Sequence, residues 1–283
     1  MEEIIVNDSL ELEKKRKAIG VGGTSRLHVL ADFDQTLTRL FVGDIPVPSL
    51  VSILYNGNYL TPDYSEKSKK LHEKYYALEV DPSLLKGEKE KAMDEWWRGQ
   101  FKLLIDSKLN RKDVEAVVKS GKVKLRDGIK EFLDTLEKNN IPLIIMSSSG
   151  LGGEAIYDFL KFEGKLSNNI HIISNEFIWD SNGFAVSIKE PIIHSMNKAE
   201  VSLQKFPEVI RLVKERDNIL LLGNSPDDAT MAEGSGYVNL LKIGFLNNQV
   251  QENLPAYRNL YDVVITNDGS LNYINSLLAE WCG

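Results

Sequence analysis

The sequence predicts an α/β protein: a doubly wound, Rossmann-like parallel sheet with an inserted helical cap domain. Three observations carry that expectation. Several short runs are almost continuously apolar, as strands covered by helices on both faces are. Helical patterns separate most of these runs, which is the alternation of a doubly wound core. Between the first run and the second, about a hundred residues have a helical pattern and almost no strand signal.

The elements follow in order. The first strand is 27–32 (LHVLAD). The long interval then offers helices at 64–76, 87–106 and 110–120. These mark residues 44–124 as the cap, leaving 1–43 and 125–283 as the α/β core. The core resumes with a helix at 128–139 (GIKEFLDTLEKN) and a strand at 141–147 (IPLIIMS). A helix at 153–162 (GEAIYDFLKF) leads to a strand at 170–174 (IHIIS). Residues 177–188 (FIWDSNGFAVSI) are a second, smaller insertion, in which Asp-Ser-Asn-Gly is a hairpin signal expected at the sheet's edge. Strands at 218–224 (NILLLGN), 240–245 (LLKIGF) and 262–266 (DVVIT) complete the set.

Composition excludes several classes of partner. The chain has 283 residues, 42% hydrophobic and 27% charged, with a net charge of −7. That balance argues against coating a nucleic acid polymer or an anionic membrane. No apolar run approaches the roughly 20 residues that span a bilayer. The first twenty residues mix acids and bases and lack the apolar stretch of a secretory signal. The single cysteine, Cys282, allows no disulfide within the chain, in keeping with the cytoplasm. A monomer is the expected state.

In an open parallel sheet, ligands bind beyond the carboxyl ends of the strands. The first strand runs into Asp32-Phe33-Asp34-Gln35-Thr36-Leu37-Thr38, the second into Ser147-Ser148-Ser149-Gly150. The strand at 218–224 runs into Asn224-Ser225-Pro226-Asp227-Asp228, and Asn197-Lys198 lies in a polar segment before it. Each feature has a plainer explanation: a solvated turn, a helix N-cap, a surface lysine. Together, at successive strand ends, they suggest a site. Asp32 directly ends an apolar strand, where an uncompensated charge is costly to bury. A cation and a lysine would make it tolerable.

DFDQTLT, a strand ending in serine, Lys198 and GNSPDD, in that order, resemble the haloacid dehalogenase superfamily of phosphotransferases. HEKYYALEVDP (72–82), HSMNKAE (194–200) and LLKIGFLNNQV (240–250) resemble one branch of it, the cytosolic 5'-nucleotidase III or pyrimidine 5'-nucleotidase family. The resemblance runs from about Arg26 onward and includes the cap.

The resemblance implies Mg²⁺-dependent hydrolysis of nucleoside 5'-monophosphates: pyrimidine nucleotides such as CMP and UMP, or 7-methylguanosine monophosphate. It implies Asp32 as the nucleophile, Asp34 as general acid and base, and Lys198 as the group that neutralises phosphate. Mg²⁺ would take Asp32, the Asp34 carbonyl and Asn224; Asp228 would reach it through water or orient a ligand. Either Ser147 or Ser148 is the phosphate serine, with Ser148 preferred and the Ser149 and Gly150 amides beside it. Glu79 would read the base, accepting from its N–H groups. Trp97 offers a ring to stack on a cationic methylated base. Gln100, where the family commonly has serine, would add base contacts or narrow the pocket. Asn224 also departs from the family's metal-binding aspartate. Two alternatives follow: a phosphatase for another small metabolite, or a nucleotide-binding protein with catalysis weakened at Asn224.

Overall fold

The structure is a computed structural model that describes residues 2–57, 59–81, 83–198 and 206–283. Pro82, Ala199 and Glu200, which belong to two of the motifs above, lie outside the described residues. In chain order the elements begin with β1 (Ile4–Val6), α1 (Ser9–Gly22) and β2 (Leu27–Ala31), followed by a small hairpin, β3 (Phe41–Val42) with β4 (Ile45–Pro46). Four helices come next: α2 (Leu50–Asn56), α3 (Tyr64–Val80), α4 (Lys86–Asp106) and α5 (Arg111–Val118). Then follow α6 (Ile129–Lys138), β5 (Leu143–Ser147), α7 (Gly152–Phe162), β6 (Ile170–Ser174), and the pair β7 (Phe177–Trp179) and β8 (Ala185–Ile188). The chain ends with α8 (Pro207–Val213), β9 (Asn218–Gly223), β10 (Asn239–Leu246), α9 (Val250–Leu260), β11 (Val263–Thr266) and α10 (Asn272–Cys282).

Seven strands form the main sheet in the order β1-β11-β10-β9-β2-β5-β6. All neighbours are parallel except β1, which pairs antiparallel with β11. The expected doubly wound α/β core is present. Every residue of β2, β5 and β9 is buried, and alternate residues serve opposite faces. Val29, Leu143, Ile145, Leu220 and Leu222 join one apolar core; Leu30, Ile144, Met146, Ile219 and Leu221 join the other. Period-two alternation with both faces covered accounts for the unbroken apolar runs. On α6, Ile129, Phe132, Leu133 and Leu136 form the buried stripe at helical spacing.

Two expectations are refined. The 177–188 hairpin does not extend the main sheet. β7 and β8 make a two-stranded sheet of their own, β8 lies against α4, and the Ala185 amide donates to the Leu109 carbonyl. Helix α3 runs on past residue 76 to Val80, which places Glu79 in its last turn.

The register brings the charged turns together. Ala31, the last residue of β2, pairs with Ile145 on one side and Leu222 on the other. Thus the turns after β2, β5 and β9 sit side by side at the carboxyl edge of the sheet.

Candidate active site

Asp32 follows directly from β2, and its amide donates to the Leu222 carbonyl across the β2–β9 junction (3.0 Å). The Asp32 carboxylate is buried and meets the Lys198 ammonium at 2.6 Å. The same ammonium meets Asp228 Oδ1, also at 2.6 Å. Lys198 is therefore a buried bridge between the turns after β2 and β9. Burial alone would lower its pKa, but Asp228 and Asp32 outweigh that and raise it, so the ammonium stays charged. Burial raises Asp32 above the ordinary carboxylate range, against the pull of Lys198. Burial likewise pushes Asp34 up to about 6, again opposed by Lys198. Asp34 Oδ1 has no hydrogen-bond partner among the described residues.

The turn after β9 is tightly built. Asp228 Oδ2 accepts from the Asn224 and Ser225 amides at 3.0 Å each, so both of its oxygens are engaged. This needs the carboxylate pressed against the strand. A Cβ on Gly223 would lie 2.3 Å from the Asp228 Cβ, so only glycine fits there. The carbonyls of Asn224 and Ser225 accept from the hydroxyls of Tyr257 and Tyr261, at the far end of α9.

Asn224 lies at the centre. The amide atom that faces the first turn is 3.1 Å from the Asp34 carbonyl oxygen and 3.2 Å from Asp32 Oδ2. With oxygen at that position, it accepts from the Thr36 hydroxyl at 3.1 Å but confronts two other acceptors. With nitrogen there, it donates to both of them. The nitrogen-inward form satisfies the protein alone; the oxygen-inward form makes three oxygens converge, which a cation stabilises. One carboxylate, one peptide carbonyl and one amide oxygen are hard donors suited to Mg²⁺, so the residues fit that ion with one charge fewer than a second carboxylate would supply. Among the described residues no group of three His, Cys, Asp or Glu side chains could hold a metal, as expected where two of three donors are not carboxylates.

Ser147 is buried in β5, opposite Ser174 in the register. Ser148 is the partly accessible serine of the run. Ser149 is buried, its Oγ accepting from the Leu151 amide at 3.3 Å. Asn175 ties this loop to the lysine segment. Its Nδ2 donates to the Ser149 and Ile193 carbonyls at 3.4 and 2.9 Å, and its Oδ1 accepts from the Ile193 amide at 2.8 Å.

Helices α3 and α4 contribute Glu79 and Trp97. Glu79 is half-buried; burial raises its pKa and Asp227 adds to that, while nearby Ser195, three residues before Lys198, opposes the shift. A Cβ on Gly150 would meet the Trp97 ring at 3.4 Å, so this indole lies against the loop after β5. Gln100 is not brought to the cleft. Its Nε2 donates to Tyr64 at 3.1 Å and its Oε1 accepts from Ser68 at 3.2 Å, both within the α3–α4 packing. The sequence alone does not single out Thr36, Asn175, Ser195, Tyr257 or Tyr261. Each is an ordinary polar residue whose part is visible only through its partner in space.

A carboxylate pair on one strand end, a charged buried lysine and a hydroxyl-rich loop define a phosphatase of the haloacid dehalogenase type. The match to solved structures agrees: at a TM-score of 0.53 and 17% identity, covering 89% of this chain and 97% of the other, phosphoserine phosphatase shares the fold. The pyrimidine 5'-nucleotidase (UMPH-1) family model matches residues 35–282, and the chain belongs to that family of 5'-nucleotidases. A 7-methylguanosine phosphate-specific 5'-nucleotidase of Gallus gallus is 35% identical over 93% of this chain and 90% of its own length. The human protein of that name is 36% identical over 92% and 86%. A crystal structure of cytosolic 5'-nucleotidase IIIB bound to cytidine superposes with a TM-score of 0.89 at 29% identity, covering 98% of this chain and 93% of that one. Among the described residues no helix is long and apolar enough to cross a membrane.

Proposed function

We propose that the protein is a Mg²⁺-dependent, cytoplasmic 5'-nucleotidase that converts 7-methylguanosine or pyrimidine nucleoside 5'-monophosphates to nucleoside and phosphate. The cap would be residues 44–124 on a core of 1–43 and 125–283. The observation that carries the reading is the buried Lys198 ammonium held between Asp32 and Asp228 at the carboxyl edge of the sheet.

The Asp32 carboxylate attacks phosphorus opposite the ester oxygen. A bond forms from Asp32 to phosphorus as the ester P–O bond breaks, and the leaving electron pair stays on the ribose 5' oxygen. Asp34, raised to about 6 by burial, gives that oxygen its proton. The now ionised Asp34 then takes a proton from water, which attacks the aspartyl-phosphate. Its P–O bond to Asp32 breaks, phosphate departs and both carboxyls are restored, one hard hydrolysis having become two easier steps. Lys198 balances charge on the phosphoryl oxygens, while Ser148 and the Ser149 and Gly150 amides hold them. Asp32, the Asp34 carbonyl and Asn224 would hold the magnesium ion, with Asp228 behind them bracing Lys198 and the turn. When bound, the ion screens repulsion between an anionic nucleophile and a dianionic phosphate.

For the base, Glu79 and Trp97 support a methylated guanine. That base is cationic and presents N–H donors, which suit an ionised carboxylate and an indole face. The names of the relatives point the same way, and the cytidine complex keeps CMP beside it. The test is phosphate release from 7-methylguanosine, cytidine, uridine and guanosine 5'-monophosphates, with phosphoserine as the competing class. Hydrolysis of the first two over guanosine monophosphate and phosphoserine is expected; preference for phosphoserine would overturn the reading.

A further inference from the structure

Among the described residues Arg126 is the largest of the fully buried side chains, 1% exposed, and the chemistry above makes no use of it. It lies where the chain returns to the core after α5. There the two connections run side by side: Thr38 and Leu125 form an antiparallel bridge, the Arg39 amide donates to the Lys124 carbonyl (2.8 Å), and the Arg126 amide donates to Leu37 (2.9 Å). The guanidinium lies over the Phe245 ring, 4.1 Å from its centroid. Nε donates to the Thr36 carbonyl at 2.6 Å. Nη2 donates to the carbonyls of Gln35 and Thr38, the latter at 3.2 Å, and to Asn247 Oδ1 at 3.1 Å. Nη1 donates to the Gly269 carbonyl at 2.6 Å and lies 3.3 Å from Asp268. The Gln35 carbonyl takes a second donor, Asn247 Nδ2, at 2.8 Å.

These bonds fall on an unusual backbone. Gln35 has φ +61°, a left-handed conformation that non-glycine residues seldom adopt. It immediately follows Asp34: the donors on its carbonyl pin the peptide after Gln35, and the Gln35 amide, in the peptide that leaves Asp34, donates to Thr38 Oγ1 at 2.8 Å. A buried guanidinium is a costly way to fill space; an apolar side chain of that volume serves a core as well. What no apolar side chain supplies is a planar fork of donors for carbonyls that turn away from the sheet.

We infer that Arg126 is a positioning residue for the reaction: by fixing the Gln35, Thr36 and Thr38 carbonyls it aims Asp34 at the leaving oxygen. This rests on Asp34 as general acid, and the test separates the two claims. A ribose 5' oxygen needs a proton to leave; p-nitrophenolate does not. The quantity read is kcat/KM for the best nucleotide and for p-nitrophenyl phosphate.

Asp34→Asn sets the reference: a fall of about 100-fold or more on the nucleotide, and much less on p-nitrophenyl phosphate. Arg126→Lys keeps the charge and loses the fork. It is expected to fall about tenfold or more on the nucleotide and within about threefold on p-nitrophenyl phosphate, with nucleotide KM little changed. Asn247→Ala removes the second donor and is expected to show the same bias, weaker. If thermal melting shows that Arg126→Lys does not fold, Asn247→Ala decides between the outcomes in its place. Equal losses on both substrates in the folded variant, with Asp34→Asn discriminating, overturn the inference. Equal losses in Asp34→Asn overturn the assignment of Asp34 instead.

Discussion

At the scale of single residues, Asn224 decides how the site handles charge. Its amide reaches Asp32 Oδ2 and the Asp34 carbonyl; with its oxygen turned inward it would offer a metal a donor with one negative charge fewer than an aspartate. Coulomb energy rises steeply at short range, although neighbouring charges and water screen most of it. Asn224→Asp is therefore expected to lower the half-saturating Mg²⁺ concentration while changing the saturated rate by less than about tenfold. A Mg²⁺ titration of both forms on one nucleotide measures it; an unchanged midpoint would remove Asn224 from the metal. The residue before it, Gly223, has no room for a methyl group, with Asp228 Cβ 2.3 Å from the position it would take. Gly223→Ala is expected to cost about 1–3 kcal/mol or more by overpacking, read as a lowered denaturation midpoint.

At the scale of elements, order does most of the work: β2 lies between β5 and β9, so three turns far apart in sequence share one edge. That much was legible, because strands buried on both faces leave continuous apolar runs and polar turns after them. The strand expected at 170–174 is β6 to the residue, and the others agree within two residues at each end. β1 was not legible, since three residues, Ile4–Val6, are too short for a pattern and become a strand only through pairing with β11. Helix α3 ends at Val80 and carries Glu79 to Ser195 on the core side. One charge-assisted hydrogen bond is worth about 1.5–3 kcal/mol, so Glu79→Ala should raise KM for nucleotides roughly 10- to 150-fold. The same change should leave KM for p-nitrophenyl phosphate nearly untouched; equal effects would take Glu79 out of the base pocket. On α9, Tyr257 braces the Asn224 carbonyl. Tyr257→Phe is expected to cost about 1 kcal/mol of stability, read by chemical denaturation.

At the scale of the whole molecule, the site is held by groups that the sequence does not reveal. Asp32, Asp34, Lys198 and the β9 turn stand out because charge at the end of an apolar strand is unusual. Arg126 and Asn175 do not, because an arginine between helices and an asparagine after a strand are ordinary until their partners are known. Gln100 shows the converse: a departure from a familiar pattern draws attention to it, yet its amide is taken up by Tyr64 and Ser68. Stability as a whole should depend on acid through His28, buried at the start of β2, with Nδ1 2.8 Å from the Arg216 carbonyl. Burial lowers its pKa from 6.5 to about 4. The unfolded chain thus binds the proton first, and stability is full above pH about 6.5 and falls as pH drops toward 4. Between pH 7 and 5 that amounts to about 2 kcal/mol. His28→Asn, which keeps a donor for Arg216 but does not titrate, should show a smaller loss over that interval; an equal loss would place the acid sensitivity elsewhere.

The central claim is a magnesium-dependent nucleotidase with Asp32 as nucleophile, and the most direct measurement is phosphate release from 7-methylguanosine and cytidine 5'-monophosphates by the native protein and by Asp32→Asn, each with and without Mg²⁺. The account predicts turnover by the native protein only when Mg²⁺ is present. Asp32→Asn keeps the shape of the side chain but removes the attacking oxygen, and should lose about a thousandfold or more in kcat while still binding nucleotide. Turnover without divalent metal, or an Asp32→Asn variant that keeps more than about a tenth of the native rate, would contradict it.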